Sequence, residues 1–79
     1  MSGQENKSCV AGVKQTRKAI INETAGRVLL AENADPALTE PLAALAEAKE
    51  IPVQWLPSMK ELGHICKLSV GAAAAAELR

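Results

Sequence analysis

The chain has neither tyrosine nor phenylalanine, and Trp55 is its one aromatic residue among 79. A sheet or barrel that stacks unpaired bases on aromatic rings therefore cannot be built from it. A surplus of charge is missing too, because nine Lys and Arg balance nine Asp and Glu. Histidine occurs once, at His64. No nucleophile and base pair and no cluster of carboxylates can be read around it, so an enzyme is not expected and His64 reads as a partly exposed surface residue. Cysteine is limited to Cys9 and Cys66, far apart and without the C-x-x-C spacing of zinc or redox sites. Both sit in apolar surroundings, and the expectation is two reduced core thiols. Neither G-x-G-x-x-G nor G-x-x-x-x-G-K-[ST] follows Gly12, so no nucleotide cofactor is expected, and no metal. No apolar run approaches the roughly 18 residues of a membrane span. The opening MSGQENKS lacks the apolar core of a signal peptide, and the expected location is the cytoplasm, away from membranes.

What is present is organised around residues 27 to 57. Val28, Leu29 and Leu30 form a short apolar run, and Val53, Trp55 and Leu56 form a second with β-branched and aromatic content. Between them Leu42, Leu45 and Ala46 recur at helical spacing, with Leu38 one turn earlier. This strand-helix-strand pattern predicts a parallel pair joined by a crossover, in a sheet covered on both faces. Asp35-Pro36 opens a turn. Because Pro41 would clash inside a helix already running from Pro36, the reading places one turn at 36 to 38 and starts the main helix after Thr39. Upstream, Cys9 to Ala11 form a short strand, and a helix runs from Val13 to about Glu23, with Val13, Ile20 and Ile21 inward and Gly26 as its stop. Downstream, Ser58 and Glu61 have the spacing of a capping box for a short helix that turns Leu62, Ile65 and Cys66 inward. Gly63 costs that helix about 1 kcal/mol against Ala, which points to a use for its small size. By local preference the run AAAAAEL is balanced between helix and strand. A chain of this length buries only about 60% of its unfolded surface, so one domain over residues 1 to 79 is expected, with 1 to 7 frayed.

The balanced charge conceals a pattern. Residues 1 to 27 hold Lys7, Lys14, Arg17, Lys18 and Arg27 against Glu5 and Glu23, an excess of three positive charges. Residues 32 to 50 hold Glu32, Asp35, Glu40, Glu47 and Glu50 against Lys49, an excess of four negative charges. Such an arrangement suits a molecule with one side facing an anion. On a helix, Lys14 and Lys18 are four apart and Gln15 and Lys18 three apart, so the three share an exposed surface. With no aromatic platform, an RNA partner would have to be a structured one, read by shape and by polar contacts to base edges. The alternative is a protein-interaction or structural module that presents the same basic face to an acidic protein.

The blocks GVKQTRKAI, VLLAENADP, IPVQWLP and SMKELGHICKLSVGAAAAA, in this order and spacing, resemble the kink-turn-binding ribosomal protein family of the L7Ae group, most closely its small bacterial members. The resemblance spans about residues 9 to 76. It implies a three-layer α/β/α sandwich with a small mixed four-stranded sheet, strands lying near 9 to 11, 28 to 31, 52 to 56 and 72 to 77. The alanine run becomes the last strand. It also implies a monomer that binds a kink-turn, a bent internal loop in which tandem sheared G·A pairs adjoin a three-nucleotide bulge, in ribosomal RNA or a structured messenger RNA element; DNA is not expected. Gly12 corresponds to the glycine that opens the recognition helix and lets backbone approach RNA. Lys14 and Gln15 correspond to the pair that meets the G·A pairs, where the archaeal and eukaryal branch has Asn-Glu, and Lys18 to the lysine one turn on. Lys can donate to guanine O6 and N7, and Gln can donate and accept at a base edge. Leu68, Ser69 and Val70 correspond to the apolar loop that covers the bulge. Arg17, Glu32 and Lys67 complete the implied RNA-contacting set.

Overall fold

The computed structural model describes residues 9–79. The frayed segment expected at 1 to 7 lies outside the described residues. In chain order the elements are β1 (Cys9–Ala11), α1 (Val13–Ile21), β2 (Ala25–Ala31), α2 (Pro36–Ala48), β3 (Val53–Leu56), α3 (Met59–Ile65) and β4 (Ala74–Leu78). The strands form one mixed sheet in the order β1-β4-β2-β3. β2 runs parallel to β3 with Val28 opposite Val53 and Leu30 opposite Trp55. β4 is antiparallel to both β1 and β2.

The unbroken apolar run of β2 follows from its having a helical layer on each side. Val28 and Leu30 face the core of α1 and α2, with Ile20, Leu42, Ala46, Ala74 and Ala76. Leu29 and Ala31 face the opposite core, with Leu56, Leu62 and Ala75 beneath α3. Val28, Leu29 and Leu30 are all fully buried, and each such side chain contributes about 1.5–3 kcal/mol of burial. This is the α/β/α sandwich expected. Ala74, Ala75 and Ala76 are also fully buried in the central strand β4, which decides the alanine run for strand.

Several local expectations are corrected. α2 is one helix from Pro36, with Pro41 inside it. Asp35 accepts from the Ala37 N–H at 2.9 Å and Pro36 occupies the first turn, so the helix is started before Pro41 is reached. Pro41 and Ala37 are exposed, so the carbonyl that Pro41 leaves without a helical donor lies on the solvent side. The buried ridge of α2 is Thr39, Leu42 and Ala46, and Leu38 is turned to solvent. In α1, Thr16, Ala19 and Ile20 are buried and Ile21 is exposed. In α3, Leu62 and Gly63 are buried, Ile65 is exposed and Cys66 is half-buried. Each helix meets only one sheet face, so the buried stripe is narrower than its apolar content. α1 ends at Asn22, with Glu23 in the left-handed region at φ 58°, and Gly26 belongs to β2.

The thiols are also corrected. Cys9 and Cys66 are not separate: their sulfurs lie side by side, with Cα atoms 6.0 Å apart across 57 residues of sequence. Both flank the core beneath α3, because odd positions of β1 point to the face that the end of α3 crosses. No helix among the described residues is long and apolar enough to cross a membrane.

Candidate nucleic-acid interface

The ends of three strands and the start of a fourth meet at one edge of the sheet. The Gly12 N–H, just after β1, donates to the Ala74 carbonyl at 2.8 Å. The Ala31 N–H at the end of β2 donates to Ala73 at 3.0 Å, and the Glu32 N–H to Leu56 at 2.8 Å. Gly12 and Glu32 thus stand on either side of the segment that brings the chain out of the loop at 67 to 71 and into β4. The helix that follows Gly12 has no side-chain cap. Its first N–H groups and the positive end of its dipole are left for an outside acceptor. Gly12 has φ 107°, which other residues rarely adopt, and a methyl group there would meet no atom within 4 Å. The constraint at Gly12 is therefore conformational, and the space above it is open.

Lys14, Gln15, Arg17 and Lys18 are all exposed on α1. Lys14, Arg17 and Lys18 line one shallow hollow with Ile21, and Gln15 lies in a second with Lys18 and Asn22. Among the described residues these three cations make no ion pair. Arg27 differs: it donates to both carboxylate oxygens of Glu77, at 3.1 and 2.7 Å, and to Gln54 at 2.7 Å. Its charge is used to tie β2 to both neighbouring strands, and it leaves the basic group that the sequence suggested. Lys49 likewise faces Glu23 at 3.4 Å.

The loop is held in a defined path. The Leu68 N–H donates to Gly63 at 2.8 Å and the Lys67 N–H to His64 at 3.0 Å, which closes α3 in a Schellman turn with Lys67 at φ 60°. The chain then runs back along α3 until the Ala72 N–H reaches the Met59 carbonyl at 3.1 Å. A methyl on Gly63 would overlap the Val70 carbonyl oxygen, so the small residue is what admits this return path. Val70 is 69% exposed and Leu68 38%, so neither completes the core. Ser69 is exposed between them. Lys60, Glu61 and His64 line an open hollow with residues 68–71.

Of the residues singled out from the sequence, Gly12 and Glu32 come together at the sheet edge, with Lys14 to Lys18 on the helix that starts there, while Leu68, Ser69 and Val70 lie on the loop that runs back along α3 toward Met59. Lys67 is set apart, at the far end of α3, roughly 10 Å along the helix from Met59. The sequence reading missed Asn33. Its Oδ1 accepts from the Met59 N–H at 2.8 Å and so pins the turn after Glu32 to the start of α3. A lone Asn in a turn carries no signal that its partner is 26 residues away. Among the described residues no group of three His, Cys, Asp or Glu could hold a metal ion.

Comparison with known proteins gives one family match, to the ribosomal protein L7Ae/L30e/S12e/Gadd45 family, over residues 2–79. An RNA-binding protein of Geobacillus kaustophilus is 46% identical over 70 residues, covering 89% of this chain and 85% of that protein. The RNA-binding protein YbxF of Geobacillus stearothermophilus is also 46% identical, with the same coverage. Among solved structures, the 15.5 kD RNA-binding protein of Giardia lamblia aligns with a TM-score of 0.84 at 26% identity, over 91% of this chain and 61% of that one.

Proposed function

The chain belongs to the ribosomal protein L7Ae/L30e/S12e/Gadd45 family, and from that premise we propose that it binds structured RNA at a kink-turn. The observation that carries the reading is the start of α1: an uncapped helix, opened by Gly12, with Lys14, Gln15 and Lys18 exposed and, among the described residues, no acidic partner on the cations. Lys14 and Gln15 meet the edges of the sheared G·A pairs, where Lys supplies donors to guanine O6 and N7 and Gln supplies both a donor and an acceptor. Lys18 and Arg17 reach guanine or phosphate from the next turn. Leu68 and Val70 cover the bulged nucleotides, and Glu32 lines the sheet edge across the β4 segment from Gly12. Lys67, remote from that edge, contributes charge to the rim.

The relatives named above are RNA-binding proteins, which supports the class of ligand. The RNA is ribosomal or a structured messenger element, and the protein works in the cytoplasm as a ribosome-associated component. Zero net charge suits a peripheral position or a separate RNA. Gel-shift titration against a standard kink-turn, beside a copy whose G·A pairs are converted to Watson-Crick pairs, tests the reading. Binding to the first and its loss with the second is the expected result, and equal affinities would refute the specificity. Sucrose-gradient fractionation against a core ribosomal protein tests the association; a substoichiometric amount rejects a constitutive role.

A further inference from the structure

Nothing in RNA recognition requires the Cys9–Cys66 pair, yet it joins the two segments that lead into the candidate interface. Cys9 lies three residues before Gly12, and Cys66 is the last residue of the α3 turn before the loop at 67 to 71. β1 is only three residues long and occupies the edge of the sheet, bonded to β4 alone. The Cα separation of 6.0 Å is within the range of an ordinary disulfide, and both residues are half-buried, within reach of small thiols and disulfides.

We propose that Cys9 and Cys66 are a reversible thiol–disulfide modification site whose oxidant is a low-molecular-weight disulfide of the glutathione class, and that its oxidised state fastens β1 and the loop for RNA binding. The chemistry is two exchanges. One cysteine thiolate attacks the small disulfide, breaks its S–S bond and forms a mixed disulfide with release of one small thiolate. The second cysteine thiolate attacks the protein sulfur of that mixed disulfide, forms the Cys9–Cys66 bond and releases the second small thiolate. Two electrons pass from the protein to the oxidant, and the two protons lost by the cysteines end on the released thiols. Closing a 57-residue separation restricts the unfolded chain and anchors an otherwise weakly held edge strand. A loop ordered in advance loses less freedom on binding, so the bound complex is longer-lived. This second half rests on the kink-turn reading; the exchange itself does not.

The full chain, equilibrated in glutathione buffers from reduced to oxidised, is acid-quenched, alkylated and weighed. Two alkylated thiols in reduced buffer should give way to none in oxidised buffer, with loss of two hydrogens and no added glutathione. The melting temperature should rise by about 10 °C or more on oxidation. Cys9→Ser should remove that rise and instead take up one glutathione at Cys66. Wild-type protein that carries glutathione on both cysteines, or that melts at the same temperature in both states, would overturn the site. Kink-turn RNA should then dissociate at least about threefold more slowly from the oxidised form. Equal dissociation from both forms overturns the coupling alone. Absence of kink-turn binding in either form overturns the RNA reading and the coupling with it, while the mass and melting results still decide the exchange.

Discussion

At Gly63 the missing side chain lets α3 carry the returning loop, since a methyl there would overlap the Val70 carbonyl oxygen and crowd Gly71. Gly63→Ala should therefore lower stability by about 2 kcal/mol despite the helix propensity gained, and a urea melt reads this directly. Thr16 presents the opposite situation. It is fully buried, and its hydroxyl has no hydrogen-bond partner among the described residues. Thr16→Val keeps the shape and removes the unpaired group, so it should raise stability by about 1 kcal/mol in the same assay. Leu68 and Val70, by contrast, are exposed and should matter to the ligand rather than to the fold. Changing both to Ala should cost about 1 kcal/mol of kink-turn binding per residue while the melting temperature stays near that of the parent. A large fall in melting temperature with unchanged affinity would return the loop to the core.

The helices share a way of ending. Glu23, Glu50 and Lys67 all have positive φ, near 60°, and each follows the last residue of a helical turn. Behind them the N–H of Thr24 reaches Ala19, that of Ile51 reaches Ala46 and that of Leu68 reaches Gly63, the long bond of a Schellman turn in each case. None of the three is glycine, the residue that fits this conformation without strain. Glu50→Gly and Lys67→Gly should each stabilise by roughly 0.5–1 kcal/mol, measured by thermal melting. The two should part in RNA binding. Glu50→Gly should leave affinity unchanged or slightly raised, and Lys67→Gly should lower it modestly through the loss of a rim charge.

Across the whole molecule the charges balance, and the structure removes two of the cations from any anion-facing side. Arg27 is committed to Glu77, and Lys49 faces Glu23. What remains among the described residues is Lys14, Arg17 and Lys18 on α1 and Lys60 beside the loop, with Lys67 and Arg79 at a distance. With the first four at the candidate interface, the log-log salt dependence of RNA binding should have a slope of about three or four in magnitude. A slope near ten in a salt titration would place the binding surface elsewhere.

The β2-α2-β3 unit and the Ser58 cap were legible because their causes are local: an apolar run, a helical period, and an N–H of Glu61 within 3.1 Å of the Ser58 hydroxyl. The spacing of Lys14, Gln15 and Lys18 was legible for the same reason, since a helix puts them on one surface whatever surrounds it. The ends of α1 and α2 fall close to where the period stops, near Glu23 and Glu50, but Gly26 is not what stops α1, since Glu23 itself takes the left-handed conformation. Exposure of Ile21, Leu38 and Ile65 depended on which sheet face each helix met. The alanine run needed the sheet as well: local preference left it balanced, and only a slot between β1 and β2, with helices above and below, favours side chains so small. Asn33 on Met59, and Cys9 on Cys66, are contacts across 26 and 57 residues. Period, capping and turn chemistry act over a few residues and can be read from sequence alone. Pairings at such distances exist only once strand order has brought the segments side by side.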